Sequence, residues 1–183
     1  MNYLQLSPDP RWIQTFTGRA FCPLSPQSRD VCIEDIAHAL SMKCRFTGHC
    51  REFYSVAQHS YFVSTVVPEL DALWGLMHDA AEAYLPDVAR PIKNAIAGFR
   101  DIEYDVLQTI TQRFGLSWPM PMPVRDADMV MLATEQRDLM SKPPYLWTSI
   151  EGIKPLESKI TAWEPRKAEE MFLHRFKVLT RKL

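Results

Sequence analysis

The stretch "LWGLMHDAAEAYLPDVARP", positions 73–91, restricts the fold of this chain more than any other. Leu73, Trp74, Leu76, Met77, Ala80 and Ala81 give it the apolar spacing of a buried helix, yet His78, Asp79 and Glu82 sit among them. Burying an unpaired polar or charged group costs on the order of several kcal/mol. A fold that buries this segment must therefore also supply partners for three ionisable side chains. The spacing predicts a helix from about Glu69 to Leu85, stopping before Pro86.

Most of the remaining chain also has helical periodicity. In "IEDIAHALS", Ile33, Ile36, Ala37 and Leu40 share one face. Ser55 can cap "VAQHSYFVSTVV", where Val56, His59, Val63 and Val66 share a face with Phe62 beside them. "RDIEYDVLQTITQRFG" carries the stripe Ile102, Val106, Ile110 and Phe114, and Gly115 suits its stop. "VRDADMVMLATEQRDLM" and "PRKAEEMFLHRFKVLTRKL" come next, the second with Pro165 in its first turn. Only "WIQTFTGRAFCPL" alternates, broken at Thr17-Gly18-Arg19, which predicts a short hairpin. Between Ser141 and Glu164 the pattern is lost. A connection of that length serves as a lid, a binding loop or a subunit contact, or is tied down by Trp147 and Trp163. No repeat or linker divides the chain. The expectation is an all-α fold, one domain over 1–183, with a short N-terminal β-hairpin.

With 183 residues, 46% of them hydrophobic, the chain can bury a sizeable core. Its net charge of −1 argues against a non-specific nucleic-acid binder. No segment approaches the roughly 18 apolar residues of a membrane span. Cys22, Cys32, Cys44 and Cys50 form no C-x-x-C pair, and "MNYLQLSPDPRW" lacks an apolar leader. The reading is a reduced, cytoplasmic protein whose cysteines are small buried hydrophobes.

A divalent cation would offset the burial of His78 and Asp79. Adjacent helical side chains point about 100° apart, so both can reach one ion lying between their faces. His59, on the apolar face of the preceding helix, is a further candidate ligand. Asp126 and Asp128 both precede an apolar run and could be helix-start acids. Asp128 shares a face with Val124, Met131, Leu132 and Glu135 and is the better candidate.

The ordered blocks "IEDIAHALSMKCRFTGH", "FYSVAQHS", "HDAAEAYLPDVARPIK" and "ADMVMLATEQRDLM" resemble the HD-domain phosphohydrolase superfamily. Within it they resemble the small nucleotidases, the YfbR-like 5′-deoxynucleotidases and the phage dATP triphosphohydrolases. The resemblance covers roughly positions 12–140 and implies an HD-type helical bundle. It places metal ligands at His59, His78, Asp79 and Asp128. It also places the acid of the HDxxE pattern at Glu82, a loop acid at Asp87, and phosphate-binding cations at Arg45 and Lys93. Phe46, beside Arg45, is a candidate platform for a nucleobase.

The activity implied by this resemblance is hydrolysis of the 5′-phosphate ester of a deoxynucleotide, either a monophosphate or a triphosphate such as dATP. The mixed N/O ligand set suits Co, Mn, Zn, Fe or Ni, with Mg a poorer match. Glu82 would handle the proton of the attacking water or of the leaving oxygen, and Asp87 would be an acid, a base or a turn cap. Small relatives form oligomers, so the resemblance implies at least a dimer, through the long loop and the final helix. Two other readings differ in class. A dinuclear HD oxygenase would need His38 or His49 as an additional ligand. A non-catalytic module would use metal or nucleotide only to stabilise an interaction.

Overall fold

Apolar spacing of 3.6 residues decides the architecture. The computed structural model describes residues 10–181, which contain seven α-helices and one two-stranded antiparallel hairpin. The hairpin, β1 (Ile13–Gln14) and β2 (Ala20–Phe21), pairs Ile13 with Phe21 and Gln14 with Ala20. Phe21 is buried against Tyr84, ring centroids 3.8 Å apart, so the hairpin covers one end of the core.

The helices are α1 (Ile33–Met42), α2 (Val56–Val66), α3 (Ala72–Met77), α4 (Arg90–Ala95), α5 (Phe99–Phe114), α6 (Met122–Leu139) and α7 (Pro165–Thr180). Ser55 caps α2 by accepting the Gln58 amide at 3.1 Å, as its position predicts. Gly115 ends α5 at φ 68°, a left-handed conformation that glycine adopts without strain. The expected stripe on α5 packs inward through Val106 and Ile110.

α2 lies at the centre, packed on α3, α6 and α7, while α1 packs on α7 and α2. The contact between α2 and α3 depends on Gly75. A Cβ there would lie 2.9 Å from the Ser64 Cα. α7 spends its apolar face inside its own fold, with Ala168, Phe172 and Leu179 buried. Among the described residues, no helix is long and apolar enough to cross a membrane.

Four expectations need correction. The helix expected over 69–85 is interrupted: a 3-10 turn at Glu69–Asp71 precedes α3, and a second at Ala80–Ala83 comes after it. The break falls on the two ionisable neighbours. His78 keeps helical angles, but Asp79 sits at φ −99°, ψ 12°. The Gly75 carbonyl accepts the His78 ring N–H at 2.8 Å, a side-chain partner that competes with the backbone ladder. Secondly, α4 has no counterpart among the helices that the apolar spacing predicts. Thirdly, α6 begins at Met122, so Asp128 lies in its second turn rather than at its start. Fourthly, the four cysteines are free thiols and half-exposed rather than fully buried.

The segment between α6 and α7 is tied down chiefly by polar side chains of α6 and α2. Thr134 Oγ1 accepts the Leu156 amide at 2.9 Å, and Asp138 accepts that of Ile160 at 2.9 Å. Gln58, fully buried, holds both the Thr161 carbonyl and the Trp163 amide. Trp163 packs edge-on against Tyr61 of α2.

Candidate metal centre

Three separated segments converge where α3 ends. His59 projects from α2, His78 and Asp79 from the break after α3, and Asp128 from α6. The Nε2 atoms of His59 and His78 lie 3.2 Å apart. Asp128 Oδ1 is 3.2 Å from His59 Nε2 and 4.0 Å from His78 Nε2. Asp79 Oδ2 is 3.3 Å from His78 Nε2 and 3.6 Å from His59 Nε2. His59, His78 and Asp128 could together hold a metal ion, their ligand atoms lying within 4.8 Å of one another.

The chemistry of the donors fits a cation. His59 Nδ1 lies 2.6 Å from Glu135 Oε1. Glu135 is buried, which opposes its charge, but Arg45 and His59 hold it below the usual carboxylate range. It is therefore an ionised acceptor, and the His59 proton resides on Nδ1. His78 Nδ1 faces the Gly75 carbonyl, which can only accept, so its proton is on Nδ1 as well. Were both rings neutral, they would direct bare Nε2 lone pairs at each other and at two carboxylates. Four acceptors with no hydrogen between them repel unless something positive joins them. Ligands about 2.1 Å from a common ion are separated by roughly 3.0–3.4 Å at adjacent positions, close to the separations seen here. Histidines that donate their other ring N–H to a carboxylate and a carbonyl have the supporting contacts usual for metal ligands.

Without an ion, protons are retained at the cluster. Burial opposes a charge on His78, but Asp79 and Asp128 outweigh it and raise its pKa to about 9. Asp79 and Asp128 are correspondingly held low against burial, Asp79 by His78 and Asp128 by its hydrogen bond to His59.

The cluster opens onto a cleft of about 1010 Å³. Arg45, Phe46, His78, Asp79, Glu82, Asp87, Lys93 and Asp128 all line this cleft, and His59 is fully buried behind it. Glu82 is 8% exposed, and its Oε2 has no hydrogen-bond partner among the described residues. Burial, then Asp79 and Asp87, push its carboxyl well above the usual range. Arg45 is held by Glu135 through Nε at 3.2 Å and Nη2 at 3.1 Å, with Nη1 3.4 Å from Asp79. Lys93 lines the cleft and is paired with Glu103 at 2.5 Å. Of the spare histidines, His49 lines the cleft, whereas His38 stacks on Phe16 and pairs with Glu169.

Sequence reasoning missed Glu135, Lys43 and the position of Trp147 in the cleft wall. Glu135 is fully buried and links His59 to Arg45. Its seven-residue spacing from Asp128 on one apolar face was the available signal. Lys43 Nζ donates to the carbonyls of Glu82 and Leu85, bracing the turn that carries Glu82. Its partners are backbone atoms, so no sequence pattern marks it.

No protein-family model matches the chain. It is 40% identical over 170 residues to the protein called uncharacterized protein YfdR of Escherichia coli K12, across 92% of this chain and 96% of that one. It is 34% identical over 126 residues to an uncharacterized protein of Rhodobacter capsulatus, across 63% of this chain and 64% of that one.

Proposed function

The chain belongs to the same family as Escherichia coli YfdR, and we propose that it is an HD-type, metal-dependent phosphohydrolase of deoxynucleotides. The observation that carries this reading is the set of two imidazoles and two carboxylates whose lone pairs converge at the floor of an open cleft. His59, His78, Asp79 and Asp128 would hold a divalent transition metal. When bound, that ion would supply a water of lowered pKa and polarise a phosphoryl oxygen.

The chain's own groups divide the remaining work. Glu82 lies buried beside the cluster with Oε2 unpartnered among the described residues, and burial with Asp79 and Asp87 pushes its carboxyl well above the usual range, which suits it to protonating a leaving oxygen or orienting water. Asp87 lines the same wall and is the second candidate for proton transfer. Arg45 keeps Nη1 at the cleft edge of the cluster while Glu135 fixes its plane, which favours binding of a phosphoryl oxygen. Lys93, half-shielded by Glu103, adds positive charge farther out. Phosphoryl transfer depends mainly on such positioning and charge. The substrate is a deoxynucleoside monophosphate, or a triphosphate such as dATP that loses triphosphate in one step.

The test is a panel of deoxynucleotides incubated with protein loaded with Mn, Co, Ni, Zn or Mg, with products separated by chromatography. Release of nucleoside is expected, and the accompanying phosphate or triphosphate identifies the substrate. Glu82→Gln should retain the metal and lose at least about a hundredfold in turnover, the usual scale of a general acid–base contribution. Unchanged turnover in that variant, or no nucleoside with any metal, would overturn the proposal.

A further inference from the structure

The cleft has two aromatic walls of different character. On one, Trp118 and Tyr104 engage each other: Trp118 Nε1 donates to Tyr104 Oη at 2.8 Å, and the rings meet edge-on at 4.7 Å. On the other, Phe46 and Trp147 face one another with centroids 5.9 Å apart and planes 52° from parallel. The Trp147 N–H has no hydrogen-bond partner among the described residues, and both rings are only half-buried.

The backbone beneath Phe46 is strained. Phe46 and Thr47 both have φ 54°, in the left-handed region that aromatic and β-branched residues avoid. Such strain persists only where the surrounding structure imposes it, and it concentrates at binding sites. Here it presents the Phe46 ring beside the Arg45 guanidinium, 5.3 Å from the ring centre. Trp147 arrives from the opposite direction, on the segment between α6 and α7. That segment is anchored from Leu156 onward by Thr134, Arg137 and Asp138. Before the anchor, Tyr145 and Leu146 are 83% and 85% exposed. Trp147 itself opens a 3-10 turn, Thr148–Ile150, that packs on α6, its carbonyl accepting the Ile150 amide at 3.1 Å, so the turn holds its backbone beside the cleft and any swing is that of the ring.

We propose that Trp147 forms, with Phe46, a slot that stacks the nucleobase of the substrate. The 141–164 segment would then be a specificity-determining part of the site. This inference rests on the nucleotide reading above and adds to it a residue outside the resembling blocks. A flat ring between two parallel rings needs about 7 Å, twice the ~3.5 Å contact distance of carbon atoms. The present 5.9 Å and 52° therefore require Trp147 to swing outward and flatten as the base enters.

The experiment compares wild type, Trp147→Ala and Trp147→Phe, all metal-loaded and full length. Equilibrium binding of dAMP, dATP and the base-free 2-deoxyribose 5-phosphate is measured beside turnover. Trp147→Ala should weaken dAMP and dATP about tenfold or more, within the range for losing one stacked aromatic. It should leave binding of 2-deoxyribose 5-phosphate unchanged, and Trp147→Phe should recover most of the loss. Equal weakening of all three ligands would mark a structural role and overturn the slot, as would unchanged nucleotide binding. Nucleotide binding that depends on Trp147 but leads to no hydrolysis keeps the slot and overturns the phosphohydrolase. Failure of wild type to bind either nucleotide overturns both.

Discussion

Glu135 holds the cluster in register through two contacts. One oxygen fixes the tautomer of His59 and the other fixes the plane of Arg45; Glu135 and His59 are fully buried, and Arg45 reaches the cleft. Glu135→Gln keeps the volume and one acceptor but removes the main counter-charge of a buried guanidinium. Breaking a buried pair in this way costs about 3 kcal/mol, and losing the supporting partner of a ligating histidine lowers metal affinity about 10- to 100-fold. Urea denaturation and metal titration of the variant measure the two effects separately. His59, His78 and Asp128, the group that could hold an ion, stood out because ionisable residues among apolar helical neighbours are conspicuous. Glu135 met the same criterion, but its partners, His59 and Arg45, lie 76 and 90 residues away. No local spacing connects them. Lys43 was invisible for a different reason, since backbone carbonyls carry no sequence signal.

Between elements, the close approach of α2 and α3 sets the distance between His59 and His78. Gly75 permits that approach and also supplies the carbonyl that orients His78. Gly75→Ala would place a methyl group 2.9 Å from the Ser64 Cα and 3.1 Å from the Ser64 nitrogen, both backbone atoms that cannot rotate away. The two helices must separate, at a cost of about 1–3 kcal/mol for overpacking. The variant should melt earlier by circular dichroism and bind metal more weakly, although no ligand has been changed. The long amphipathic helices α1, α2, α5, α6 and α7 were readable because burial of one face imposes the 3.6-residue period over several turns. The interruption at His78–Asp79 was not. It depends on a ring N–H taking a carbonyl and on carboxylates arriving from other segments, and the apolar pattern on either side continues unbroken.

At the scale of the molecule, α2, the turn after α3, and α6 meet through groups that repel unless a metal ion or retained protons join them. Two ring lone pairs and two carboxylates face one another within 3.2–4.0 Å. A ligand that binds only the folded arrangement stabilises it by about 2.7 kcal/mol at one hundred times its dissociation constant. For a chain of this size that is a rise in Tm of roughly 5–10 °C. Chelation by EDTA should therefore lower the calorimetric Tm by that order, and stoichiometric metal should restore it. The size of the recovery should track the affinity order of nitrogen and oxygen ligands, with Ni and Zn above Mn and with Mg smallest. His59→Ala and Asp128→Asn should each suppress the response, because their side chains come from different helices and both belong to the group that could hold an ion. A Tm indifferent to chelation and to all of these metals would mean that the three segments are held by protons alone. The convergence of the cluster would then be a feature of the core rather than a metal centre.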